Sequence, residues 1–311
     1  MNPVAKRTFT GIATGLLVIA MFLYCPMRAI LPVILMLSSL LQLEFYNLAK
    51  KSEPVVWLGL VFGCLWILFA GIFGFHVGLV GVPAYFGAFL ALAGAIVSLF
   101  VLFSSRRSDP VASIASTLFG VLYIPFLMSF FLLLVQITGN GYFSRADSNI
   151  VWYGAEPQRW TRTGFYTLLA LVATAKFSDT GGFAFGLAFG KHKMCPSISP
   201  KKSWEGLLGS IIFAAITMCV FYMLSLRFGW AQDIKAWEYL SYPTAAAIGG
   251  VLAIVATLGD LVESRFKRAA GVKDSSAFMP AGIGGFLDMF DSVLFMPALV
   301  YPVIVAVSVS I

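Results

Sequence analysis

The stretch LGDLVESRFKRAAGVKDSSAFMPAGIGGFLDMFDS, Leu258 to Ser292, places five carboxylates (Asp260, Glu263, Asp274, Asp288, Asp291) and four cations (Arg265, Lys267, Arg268, Lys273) within 35 residues. Long apolar runs lie on both sides of it. A charged hairpin between two apolar spans calls for explanation by topology, by chemistry, or by both. The rest of the chain argues for both.

Of 311 residues, 59% are hydrophobic and 11% are charged. An average soluble domain carries about 25% charged residues, so the polar side chains here are too few to cover a soluble globule of this size. The chain therefore reads as an all-α, polytopic integral membrane protein. A spanning helix needs roughly 20 apolar residues. Nine candidates fall at about 8–25, 29–48, 55–75, 78–103, 111–138, 163–190, 207–229, 242–262 and 284–309. The first run follows Lys6 and Arg7, but its end, Phe22-Leu23-Tyr24-Cys25, lacks the small residues a signal-peptide cleavage site needs, so it is read as a membrane helix.

Alternating the loops from a cytoplasmic N-terminus puts 14 Lys and Arg inside and six outside, with Lys176 within a span. That asymmetry follows the positive-inside rule and places the C-terminus outside. The net charge of +7 is thus explained by topology, and no nucleic-acid partner is expected. Cys25, Cys64, Cys195 and Cys219 are scattered, with no CxxC pair, and read as small core residues. The two histidines, His76 and His192, exclude a histidine-rich metal site. No internal repeat or linker divides the chain. Residues 1–138 read as a five-helix scaffold with few polar groups at depth, and 139–311 as a four-helix region that carries the chemistry, within one continuous domain.

Three helices of that second region bring carboxylates toward the cytoplasmic side. Asp179 lies inside the sixth span in FSDTGGFAFGLAFG, where an ionisable residue is a functional candidate by default. Asp260 and Glu263 close the eighth span, and Asp288 and Asp291 open the ninth, each pair three apart and so on one helix face. Such a cluster needs protons or cations at that depth. Oxygen ligands without Cys or His suit Mg²⁺, Mn²⁺ or Ca²⁺, and phosphate substrates favour Mg²⁺. Buried salt bridges to the neighbouring lysines and arginines are the plainer alternative. The loop KHKMCPSISPKKSWEG, Lys191 to Gly206, adds four lysines ahead of a helix start at Ser203, a surface suited to phosphate. The turn MPAGIGG, Met279 to Gly285, permits close backbone approach to a ligand. No Walker A motif is present. The constellation points to phosphoryl or nucleotidyl transfer to a lipid. A cation- or proton-coupled transporter and a lipid or polyprenyl kinase-like enzyme are the competing readings.

The stretch SRFKRAAGVKDSSAFMPAGIGGFLDMFDS resembles the C-terminal signature of phosphatidate cytidylyltransferases, also called CDP-diacylglycerol synthases. That signature runs Ser-x-x-Lys-Arg, Lys-Asp, Leu-Pro-Gly-His-Gly-Gly, Leu-Asp-Arg and Asp-Ser. Ser264, Lys267, Arg268, Lys273, Asp274, Pro280, Gly284, Gly285, Asp288, Asp291 and Ser292 take the matching places. Upstream, SDTGG and SPKKSWEG resemble further family segments, so that the likeness runs over about 178–292. Two positions depart from it. Ile283 stands where the family has His, and Met289 where it has Arg, which bears on substrate preference.

The resemblance implies the reaction of CTP with phosphatidic acid to give CDP-diacylglycerol and pyrophosphate. It implies Mg²⁺, with or without a second cation, held by Asp260, Asp288 and Asp291, with Lys267 at the reacting centre. Lys201, Lys202, Ser203, Ser264, Arg268, Lys273 and Asp179 are expected to bind or support substrate, and Trp204 and Glu205 to order the loop or touch the nucleotide. It further implies a homodimer. A bacterial plasma membrane, with the site facing the cytoplasm, is the expected location.

Overall fold

The computed structural model describes residues 27–104, 108–136, 162–229, 231, 235–272, 275 and 285–309, with side chains at all of these except 27–30, 72–84, 136, 162–163, 235 and 308–309. The expected first span, the loop 139–160, Lys273, Asp274 and the turn from Met279 to Gly284 lie outside the described residues.

The described chain is almost wholly helical. Helix α1 is Met27–Leu48, followed by a 3-10 turn at Lys50–Ser52. Helical backbone then runs through α2, Val56–Leu102. A straight helix would hold Trp57 and Phe100 about 65 Å apart. Their rings instead meet at 5.4 Å, and inside them nest Phe62 with Phe89, Trp66 with Phe86 and Phe69 with Tyr85. The chain therefore doubles back between 71 and 85, and the two limbs of α2 pack antiparallel, as two separate spans would.

Helix α3 (Pro110–Val121) is capped by Asp109, whose side chain accepts from the Ala112 amide. It passes through a π-helical turn, Leu122–Phe126, into α4 (Leu127–Gln136). Pro125 lies in that turn. A proline lacks the amide that a regular helix needs, and the wider turn absorbs the loss.

The second region begins with α5 (Arg162–Phe189) and a two-stranded antiparallel hairpin, β1 (Lys193–Cys195) and β2 (Ser199–Ser203). Helix α6 (Trp204–Phe228) starts from Ser203, whose Oγ accepts from the Gly206 amide, and stops at Gly229 in the left-handed conformation. After a short α7 (Lys235–Glu238) comes α8 (Tyr242–Ala270), opened by a Ser241–Thr244 capping box and closed by left-handed Gly271. Helices α9 (Phe286–Leu294) and α10 (Met296–Val309) complete the chain.

Glycine sets the helix spacing where the site is built. At the α5–α6 crossing a Cβ on Gly181 would meet the Gly209 carbonyl, and one on Gly209 would meet the Gly181 carbonyl. Ser210 Oγ donates to the Ser178 carbonyl at 2.9 Å beside that crossing. Gly259 does the same for α8 and α9, since a Cβ there would meet the Asp291 carbonyl. Small residues at such crossings let backbones approach, which is how membrane helices gain packing without a hydrophobic drive.

Six helical segments among the described residues are long and apolar enough to cross a bilayer: Leu31–Leu48, Tyr85–Leu102, Pro110–Val135, Trp204–Phe228, Tyr242–Ala270 and Phe286–Val307. Val56–Gly71 is a shorter apolar helix, and α5 is a helix of 28 residues that is not among the six. The protein is an all-α membrane protein. Its first region is less bare of polar groups than its composition suggests. Ser38, Gln42, Glu44, Ser113, Thr117 and Ser129 are all buried there. Gln42 donates to the Gly59 carbonyl and the Tyr46 hydroxyl, and Tyr46 donates to the Thr117 carbonyl, tying α1 to α2 and α3.

Candidate active site

Helix α8 has 29 residues and so extends about 43 Å, against about 30 Å of bilayer hydrocarbon. It is therefore longer than an untilted span needs. Asp260, Glu263, Ser264 and Lys267 follow the i, i+3, i+4, i+7 rule and share one face of its last turns. Ser264 Oγ donates to Asp260 Oδ1 at 3.3 Å, and Lys267 Nζ donates to Glu263 Oε2 at 2.7 Å.

Across from that face stands the start of α9. Lys267 Nζ also reaches Asp288 Oδ1 at 2.8 Å, so one ammonium joins a carboxylate from each helix. The other oxygen of Asp288 accepts from the Gly285 amide at 2.8 Å and the Ser275 amide at 3.4 Å. One turn further on, Asp291 is buried and accepts from the Ser292 amide and hydroxyl. Ser292 Oγ also lies 3.4 Å from Asp179 Oδ1 on α5. Lys176, one turn from Asp179 on the same helix, donates to the Met289 carbonyl at 3.1 Å and stands 4.0 Å from Asp179.

The hairpin closes the third side. Lys202 on β2 pairs with Asp260 Oδ2 at 2.6 Å and donates to the Thr257 carbonyl at 3.1 Å. Arg268 Nε reaches the Ile198 carbonyl at 3.3 Å, fastening the hairpin tip to the end of α8. Glu205 holds the hairpin base, with its Oε1 at 2.6 Å from His192 Nδ1 and both its oxygens near the His192 amide.

The fold thus brings together Asp260, Asp288, Asp291, Lys267, Lys202, Ser264 and Asp179. Arg268 is at the rim, its side chain committed to the hairpin. Lys201 is exposed on β2, and Ser203 is buried with its hydroxyl committed to capping α6. Glu205 orders the loop, while Trp204 is exposed. Lys273 lies outside the described residues.

The carboxylates within ligand distance differ from the expected trio. One oxygen each from Asp260, Glu263 and Asp291 falls within 4.8 Å of the others, while Asp288 is engaged with Lys267 and two amides. Glu263 is fully buried, and its Oε1 has no hydrogen-bond partner. A buried carboxylate oxygen without a partner, in a residue grouped with two other carboxylates, fits a hard divalent cation. Among the described residues, five carboxylates (Asp179, Asp260, Glu263, Asp288, Asp291) face three ammonium groups (Lys176, Lys202, Lys267), which leaves formal negative charge for such an ion to offset. Tyr123 on the π-helical turn adds a second buried, unpartnered polar atom, its ring packed between Phe266 of α8 and Phe295 at the end of α9. Sequence reasoning put Glu263 in the acidic cluster by its i+3 spacing from Asp260 but not among the three expected ligands, and it passed over Tyr123.

The chain is similar to several curated proteins. It is 34% identical to a phosphatidate cytidylyltransferase of Mycobacterium bovis over 185 residues, 59% of this chain and 48% of that one. It is 32% identical to the phosphatidate cytidylyltransferase of Synechocystis over 228 residues, 70% of this chain and 71% of the relative. It is 37% identical to that of Staphylococcus saprophyticus over 177 residues, 54% and 64% of the two chains. The chain spans about half the length of the mycobacterial relatives it matches. The profile of the cytidylyltransferase family matches residues 5–307, which takes in both the first helices and every carboxylate of the cluster. The chain belongs to the cytidylyltransferase family.

Proposed function

We propose that this protein transfers the cytidylyl group of CTP to phosphatidic acid, forming CDP-diacylglycerol and releasing pyrophosphate. The observation that carries this reading is the Asp260–Glu263–Asp291 cluster with its orphaned Glu263 Oε1, ringed by Lys202 and Lys267, in a chain of this family. The similar proteins named above bear that activity in their names.

In this reaction an anionic oxygen of the lipid phosphate attacks the α-phosphorus of CTP. A new P–O bond forms, the bond to the β-phosphate oxygen breaks, and pyrophosphate leaves with its electron pair. The nucleophile is already ionised near neutral pH, so no general base is required and the demand falls on charge stabilisation and alignment. Asp260, Glu263 and Asp291 would hold Mg²⁺, which when bound neutralises phosphate oxygens and the charge developing on the leaving group. Asp288 stands beside them, paired with Lys267, and its Oδ1 keeps a lone pair with which it would join the set. Lys202 and Lys201 on the hairpin supply positive charge to the triphosphate. Lys267 bridges Glu263 and Asp288 and orients both. Lys176 and Asp179 line the approach from α5.

The same reading carries a topology of nine spans, with the N-terminus and the site on the cytoplasmic side of a bacterial plasma membrane. The 14 to six division of Lys and Arg supports it. A homodimer is part of the proposal.

The test is direct. Detergent-purified protein is mixed with phosphatidic acid, Mg²⁺ and labelled CTP, with ATP as control and Asp260→Asn, Glu263→Gln and Asp291→Asn alongside. A lipid-soluble cytidine product with pyrophosphate is expected from CTP alone. It should vanish on chelation and in each variant. Product that survives in all three variants would remove the cluster from the mechanism, and no product from the parent protein would end the reading.

A further inference from the structure

Helix α9 carries Asp288 and Asp291, yet its N-cap residue is Gly285, which has no side chain to satisfy the first amides. The first amides of a helix need outside acceptors, and buried ones left unpaired are costly. Here the acceptors are two carboxylates. Asp288 takes the Gly285 amide. Glu44 takes the next two, with Oε1 at 3.0 Å from the Phe286 amide and Oε2 at 2.8 Å from the Leu287 amide. Glu44 belongs to α1, more than 240 positions earlier, and is fully buried.

The same two carboxylates hold Ser275. Its hydroxyl lies 3.4 Å from Glu44 Oε2 and its amide 3.4 Å from Asp288 Oδ2. Ser275 and Gly285 are therefore held at one place. The fit leaves no room, since a Cβ on Gly285 would run into Ser275 Oγ and the Glu44 carboxylate. Beside Glu44, the ring of Phe45 stands edge-on to Phe266 of α8 at 5.7 Å. Helix α1 thus touches both acidic helices at the level of the cluster.

We propose that Glu44 is a positioning residue of the active site. It caps α9 from another helix and so sets the height and rotation at which Asp288 meets Lys267 and Asp291 meets Asp260 and Glu263. The first region of the chain is then a working part of the site. The catalytic arm of the test rests on the function proposed above, and the metal-binding arm does not.

The experiment compares Glu44→Gln, Glu44→Asp and Ser275→Ala with the parent chain. Glu44→Gln keeps the size but replaces one acceptor oxygen by a donor. Mn²⁺ binding is measured by electron paramagnetic resonance, cytidylyl transfer by kinetics, and folding by thermal melting without metal. Outer-sphere positioning groups are worth about 10- to 100-fold in metal affinity or activity. Glu44→Gln should weaken Mn²⁺ binding and lower kcat within that range, with KM for CTP little changed. Ser275→Ala should move both in the same direction by less, and Glu44→Asp should recover part of the loss. Parent-like Mn²⁺ binding and kcat in Glu44→Gln would overturn the proposal. So would a lowered melting temperature with unchanged metal affinity in the folded protein, which is the mark of a packing role alone. If Glu44→Gln does not survive extraction, Ser275→Ala decides, and parent-like metal binding there overturns the proposal. A parent chain that binds Mn²⁺ but makes no cytidine lipid would end the functional reading and leave the Glu44 arm intact.

Discussion

Lys267 stands between carboxylates of two helices, Glu263 at 2.7 Å and Asp288 at 2.8 Å, with little of its side chain exposed. Removing one partner of a buried ion pair leaves the other charge unpaired, at about 3–5 kcal/mol. Lys267→Met is therefore expected to destabilise the protein by an amount in that range and to lower its melting temperature in detergent. Adding Asp288→Asn to it should restore part of the loss. A Lys267→Met protein that melts like the parent would show that the pair does not hold α8 to α9. The sequence named Lys267, Asp260, Asp288 and Asp291, because charged residues at helical spacing in apolar surroundings stand out. It did not separate Glu263 from Asp288. Both lie on the correct helix faces, and which one a lysine claims depends on where the neighbouring helix places its ammonium. Glu44 was legible by the rule that drew attention to Asp179, a lone acid within an apolar run, but the depth of that run in an apparently inert half of the chain hid it.

At the scale of elements, the site depends on helices that approach closely enough to share it. Gly181 and Gly209 face each other's carbonyls at the α5–α6 crossing, so neither position can accept a methyl group unless the helices part. Overpacking of this kind costs about 1–3 kcal/mol, or more when backbone is the obstacle. Gly209→Leu should lower the melting temperature and, by moving α5, disturb Asp179 and Lys176 relative to Ser292 and Met289. Parent-like melting and turnover in that variant would refute the crossing as drawn. Helix limits were readable from local chemistry, as at Ser203, whose hydroxyl caps α6. The hairpin of β1 and β2 was not readable. Its strands are three and five residues long and carry lysine and proline, and they are held by tethers to other elements, Lys202 to Asp260 and Arg268 to Ile198.

For the whole molecule, orientation is the property that composition addresses most directly. The hairpin should face the cytoplasm. In a variant whose native cysteines are replaced and which carries Lys201→Cys, an impermeant thiol reagent should label inverted membrane vesicles and not intact cells. The opposite pattern would reverse the proposed topology. Lys201 suits the purpose because its side chain is exposed. Membrane character, the helical class, the acidic helix faces and the family signature were settled by the sequence alone, because each rests on composition or on spacing along one segment. Tertiary structure decided the rest. It paired Lys267 with Asp288, left Glu263 Oε1 unpartnered and brought Glu44 to the first amides of α9. Periodicity determines which face of a helix is polar. Only the packing of one helix on another determines which polar group that face will meet.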